Sequence, residues 1–162
     1  MGLKIRYQKR SHGVTWKSGY VYNFKYTAYE NDPSPIAIFI NDISGIYQNT
    51  GHQHRYIQCI NLTYVPRKDR KRFIKTWKNQ LQKTKSARLT WNKVKNNFPY
   101  IQFGIRRYMT KPNYYIRNAK EIPIENWEKE VIGSLIKDFS KTIKRKIASR
   151  LKSFFVGKRK KR

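Results

Sequence analysis

Lys68, Arg70, Lys71, Arg72, Lys75 and Lys78 crowd a segment of about three helical turns, and this density of like charge is the first chemistry the chain offers. Like charges one turn apart cost a few tenths of a kcal/mol per pair, so such a helix is held more easily where counter-charge lies close. A phosphate backbone supplies that counter-charge, and release of its condensed ions drives association. From Arg67 to Lys95 there are twelve Lys/Arg and one acid, Asp69. Arg67, Lys68, Arg70, Lys71, Arg72, Lys75 and Lys78 are therefore the expected phosphate contacts, with Arg106, Arg107 and Arg117 as second candidates. The plainer alternative is a solvated cationic face.

Two further constellations invite a chemical reading. Tyr20, Tyr22, Phe24, Tyr26 and Tyr29 stand beside Lys17 and Lys25, and rings flanked by cations can stack single-stranded bases. The same alternation is also how a strand buries one face, and no RNP-like signature accompanies it. His52 and His54 in Gly51-His52-Gln53-His54 would share one side of a strand. A metal there would need carboxylate or thiolate partners, and only Asp42 and Cys59 are near in sequence, so polar loop histidines are the simpler reading.

Catalysis is not expected. Mg²⁺-dependent nucleases gather two or more carboxylates, and no Asp-x-Asp or Glu-x-Lys arrangement stands out in the strands. Glu125, Glu128 and Glu130 are accounted for by the positive end of a helix dipole. No P-loop, G-x-G-x-x-G or G-x-S-x-G occurs, and neither cofactor nor metal is implied.

The whole chain has 162 residues, 37 Lys+Arg against 9 Asp+Glu, and a formal net charge of +28. Such a surface collects polyanions. Phe, Trp and Tyr make up 15% of the residues, which excludes a simple disordered basic tail. A single cysteine excludes an internal disulfide framework, and no apolar run approaches the ~18 residues that cross a bilayer.

The elements that must position these residues follow from spacing. Tyr20–Tyr26 alternates with the period of a half-buried strand, and residues 31–35 form a turn cluster. Ile36–Ile40 reads as a central strand ended by Asn41-Asp42, with a loop over Ser44–Gln53. Arg55–Val65 is a third strand, stopped by Pro66. Phe73, Ile74, Trp77 and Leu81 then recur at helical spacing, giving one buried stripe with cations opposite. A short helix is expected over Thr90–Asn97; Tyr100–Tyr108 fits strand or turn. Ala119–Pro123 runs from a short strand into a helix start, and an apolar stripe from Ile132 to Phe154 carries that helix to about Phe155. This stripe suits packing on its own domain or a second subunit, ahead of a partner's groove or a membrane surface.

The expected fold is α+β: a small, mostly antiparallel sheet or partial barrel over residues 14–66, then basic helices and a long C-terminal amphipathic helix in 67–155. A basic arm, 1–13, and a basic tail, 156–162, flank this single domain.

Cys59-Ile60-Asn61-Leu62-Thr63-Tyr64-Val65-Pro66-Arg67-Lys68-Asp69-Arg70 is similar to a G-x-N-L-H-Y-L-P-P-x-x-R signature in small proteins of tailed bacteriophages. That family has an earlier G-x-x-Y-x-F-x-Y strand, like Gly19–Tyr26, and a proline-led apolar strand, like Pro35–Phe39. It also has an R-Y element, like Arg107-Tyr108, and an I-P-x-x-x-W segment, like Ile122–Trp127. Order and spacing agree over about residues 19–135. Cys59 stands where the family tends to have Gly, Thr63 where it has His, and Arg67 replaces the second Pro.

The family is that of DNA end protector proteins of T4-like phages. The resemblance implies a virion-associated protein, in the virion or the host cytoplasm, that binds double-stranded DNA by its backbone or ends and shields linear termini from exonuclease. Two rivals stay open on the residues alone. One is a structural component at the portal, neck or tail, whose cations face DNA or an acidic partner and which forms a homo-oligomer or docks on virion proteins. The other is a ribosomal-type RNA-binding protein.

Overall fold

A computed structural model describes residues 8–28, 34–46, 53–84, 88–111 and 113–132. The chain opens with a hairpin, β1 (Gln8–Ser11) against β2 (Val14–Lys17), turned by His12 and Gly13 at φ 55° and 79°. The main sheet contains β3 (Val21–Tyr26), β4 (Ile36–Ile46), β5 (Gln53–Asn61), β6 (Ile105–Met109) and β7 (Ile116–Glu121). Its order is β6-β5-β4-β3-β7, and every ladder is antiparallel. The helices are α1 (Arg67–Lys83), α2 (Trp91–Asn97) and α3 (Trp127–Ile132). The fold is thus α+β around a five-stranded antiparallel sheet.

The sheet differs from expectation in three places. Asn41-Asp42 does not end β4: the register slips between Phe39 and Asn41, and a bulge at Ile40 carries the strand through the polar pair to Ile46. The expected loop over Ser44–Gln53 therefore gives up its ends to β4 and β5. The third strand stops at Asn61 rather than Val65, because the Asn61 side chain accepts from the Thr63 N–H at 3.0 Å and winds Leu62–Tyr64 into a 3-10 turn. The sheet is also not confined to 14–66, since β6 and β7 come from the later stretch and take both edges.

The alternating aromatics of β3 are core. Tyr20, Tyr22, Phe24 and Tyr26 are all buried, so none offers a face for base stacking. Trp16 packs on Tyr22, Phe24 and Phe39 at 4.6–5.7 Å between ring centroids. The Tyr22 hydroxyl accepts from Lys17 N–H and donates to Thr15 O, fastening the hairpin to the sheet. Tyr26 meets Tyr108 of β6 edge-on at 4.9 Å, three strands away, and accepts from Met109 N–H at 3.1 Å. The sheet is therefore strongly curved. No ladder joins β6 to β7, so it remains open rather than a closed barrel.

The helices follow their stripes. Phe73, Ile74, Trp77 and Leu81 are buried on the inner face of α1, and the Trp77 indole N–H donates to Gly19 O at 2.8 Å. Thr90 caps α2 by accepting from Lys93 N–H. Pro123 and a 3-10 turn at Ile124–Asn126 lead into α3, with Glu125, Glu128 and Glu130 in the first turns. The expected continuation of that helix to Phe155 lies outside the described residues. None of the described helices is long and apolar enough to cross a membrane.

His12 ties the hairpin to the end of β6: its Nε2 lies 3.3 Å from Thr110 O, and its Nδ1 lies 3.0 Å from Ser11 Oγ. Burial holds its pKa below the ordinary 6.5, with the Lys9 charge acting the same way and the Thr110 carbonyl opposing. The unfolded chain therefore binds the His12 proton more readily than the fold does. This contribution to stability is complete above pH 6.5 and is lost as pH falls from there toward the folded value. Tm of the wild-type chain should fall over that interval more than Tm of His12→Asn, which tolerates φ 55°. Parallel pH profiles would remove His12 as the cause.

Candidate nucleic-acid interface

The α1 helix carries eight Lys/Arg and Asp69 in 17 residues. Because its buried residues recur at i, i+3, i+4 and i+7, the cations sort themselves by angle around the axis. Lys68, Arg72 and Lys75 lie opposite the stripe and are exposed, with Lys71 and Arg67 exposed along one flank. Among the described residues none of these five has a carboxylate within ion-pair distance.

Arg70 departs from the expectation. It sits one turn before Ile74, on the inward stripe, and is only 2% exposed. Its guanidinium belongs to the packed interior and does not reach a phosphate. Lys78 is half-buried beside Glu128 at 3.7 Å, an ion pair that joins α1 to α3. Five of the seven expected contacts on this helix are therefore exposed.

The second candidates divide. Arg106 and Arg107 lie at the start of β6, the edge strand beside β5. Arg107 is exposed, whereas Arg106 places its guanidinium 4.2 Å over the Tyr64 ring and donates to Phe103 O at 3.1 Å and Ile105 O at 2.6 Å. Arg117 is exposed on β7 at the opposite edge, facing Lys25 across the ladder and donating to Tyr114 O at 3.2 Å. It therefore lies at the sheet edge away from β6.

The 3-10 turn Pro99–Gly104 leads into β6 and touches α1 on the way. Tyr100 of the turn lies under the Arg72 guanidinium at 4.5 Å. Burial pushes the Tyr100 hydroxyl up, with the nearby guanidinium opposing, so the ring stays neutral. At its other end Gly104 abuts the segment before α1: a Cβ there would stand 2.6 Å from Asn61 O and 2.9 Å from Val65 Cγ2. Only a glycine lets the turn lie this close, which fixes the short path from Phe103 to Arg106 against Tyr64.

The aromatic partners of these arginines are not identifiable from spacing. Tyr64, Tyr100 and Phe103 fall in 3-10 turns, whose residues show neither a period of 2 nor of 3.6. Phe103 is 69% exposed and Tyr114 is 53% exposed, the two large hydrophobics left in solvent among the described residues.

No group of three His, Cys, Asp or Glu side chains that could hold a metal occurs among the described residues. Cys59 is fully buried, and burial pushes its thiol up, so it is a neutral core side chain. His52 lies outside the described residues.

Compared with known protein families, with curated proteins and with solved structures, the chain matches none.

Proposed function

We propose that the protein binds double-stranded DNA through its phosphate backbone and acts as a virion-associated protector of linear DNA termini. The observation that carries the DNA reading is the outer side of α1: Arg67, Lys68, Lys71, Arg72 and Lys75 reach solvent without a carboxylate partner among the described residues. The five exposed cations run along about 12 Å of the helix, the length of roughly three to four base pairs. A cationic stripe of that length can follow a phosphate backbone with no sequence readout. Its inner side is tied by the Trp77 contact to the turn that leads into β3, so the stripe is presented on a fixed support.

The narrower role at DNA ends rests on the resemblance to the phage family, carried by Cys59–Arg70 and the motifs around it. This string forms one corner of the candidate surface: Asn61 builds the turn, Tyr64 lies under Arg106, and Arg67 and Lys68 open α1.

An exonuclease-protection assay on linear duplex across salt concentrations, with closed circular duplex as competitor, tests both parts. Protection that persists in excess circle is the expected result. Protection abolished equally by the circle would leave general backbone binding and defeat the end-protecting role. No binding at moderate salt would defeat the DNA reading and favour the rival in which the same face docks on an acidic virion component.

A further inference from the structure

We propose that Phe103 is a base-stacking residue, and that the site around it takes an unpaired nucleobase at a single-stranded end or overhang. The inference rests on the nucleic-acid reading above and specifies what kind of nucleic acid the surface prefers.

Phe103 is 69% exposed while most large apolar side chains among the described residues are buried. Among the described residues it takes no part in the buried core cluster. Its surroundings are not those of an apolar protein-docking patch. The Arg106 guanidinium bonds the Phe103 carbonyl and covers the Tyr64 ring, and Arg107 follows exposed on the same edge strand. In the same 3-10 turn, Tyr100 lies beneath Arg72 of α1. One exposed ring therefore shares its 3-10 turn and the strand that follows with two arginine–aromatic contacts.

This combination suits a nucleotide better than a protein surface. A base has a π-face for Phe103, and its flanking phosphates carry a charge that a cationic surface complements. Bases inside a duplex are already stacked on both sides and cannot use a protein ring without being extruded. An unpaired base has a free face. The backbone position is also prearranged: Gly104 seats the turn against Asn61 O, and two Arg106 hydrogen bonds hold the carbonyls on either side of it. Little order would have to be gained on binding.

The test measures affinity of the full chain for three probes of equal length: blunt duplex, duplex with a single-stranded overhang, and single strand. An overhang base is replaced by 2-aminopurine to report stacking. The wild-type chain should prefer the overhang to the blunt duplex and quench the 2-aminopurine. Phe103→Ala should bind the overhang and single strand on the order of tenfold more weakly, the effect of removing one base–aromatic stack, and should no longer quench. Phe103→Trp should retain both, and blunt duplex should bind all three proteins alike. Equal weakening on blunt duplex, or unchanged quenching in Phe103→Ala, would overturn the stacking site while leaving the backbone reading intact. Failure of the wild-type chain to bind any of the three probes would overturn both.

Discussion

Exchanging Lys68, Lys71 and Lys75 for glutamate is expected to weaken binding to duplex DNA by on the order of a hundred- to a thousandfold at about 0.1 M salt. All three are exposed on α1, on its outer side and one flank, and none has a carboxylate partner among the described residues to be disturbed. For every phosphate the variant no longer neutralises, the dependence of log K on log salt should flatten by about 0.9. The fold should hardly register the change, since surface substitutions away from packed features stay within about 0.5 kcal/mol. Glutamates near the start of a helix are also favoured by its dipole. Replacement by glutamine should give an intermediate affinity and the same reduction in slope. Affinity within threefold of wild type, or an unchanged slope, would remove α1 from the interface. Arg70→Glu provides the contrast: at 2% exposure it should lower Tm sharply, and any weakening of binding there would trace to unfolding.

That contrast shows where the sequence is readable and where it is not. The stripe of Phe73, Ile74, Trp77 and Leu81 establishes α1 and its orientation, because burial leaves a period in the apolar residues. The same stripe extended back by one turn passes through position 70, so the burial of Arg70 is in principle legible. Composition hides it, because it presents the cations as a block, while angle around the axis decides which of them meets water. The aromatic alternation over Tyr20–Tyr26 marks a true strand, but the rings turn inward onto Trp16 and Tyr108. Binary pattern gives a face its polarity and cannot say what covers it. Curvature of the sheet is equally silent, since it comes from the bulge at Ile40 and from a ring contact between strands far apart in sequence. The Phe103 turn lies beyond reach for another reason. A 3-10 turn has no amphipathic period, and its position is fixed by the close approach of Gly104 to Asn61, a contact between residues 43 apart.

The second large effect is expected where the cationic helix is anchored. Trp77→Ala should destabilise the protein by about 3–5 kcal/mol, a large part of the ~5–15 kcal/mol that usually separates folded from unfolded domains. The indole is 1% exposed, stacks nearly parallel to Phe73 at 6.4 Å, meets Phe98 edge-on at 6.0 Å, and donates to Gly19 O at 2.8 Å. Gly19 has φ 87°, and a Cβ there would stand 2.7 Å from Trp77 Cζ2. Gly19→Ala should therefore cost about 2–4 kcal/mol, part from left-handed backbone and part from collision with the ring. These two parts can be separated by denaturant titration of a double-mutant cycle. With alanine at 77 the collision vanishes and only the backbone part remains, so the double variant should be more stable than the sum of the single effects predicts, by about 1–2 kcal/mol. Strict additivity would mean that the glycine is required by its φ alone, and that the indole's close approach does not constrain position 19. The cycle also bears on function. Trp77→Phe keeps a ring against Phe73 and Phe98 but removes the hydrogen bond to Gly19 O and part of the ring volume, so it should lower Tm while leaving duplex affinity unchanged below Tm. A parallel fall in affinity and stability would show instead that the phosphate-binding stripe depends on how tightly this one indole holds α1 to the sheet.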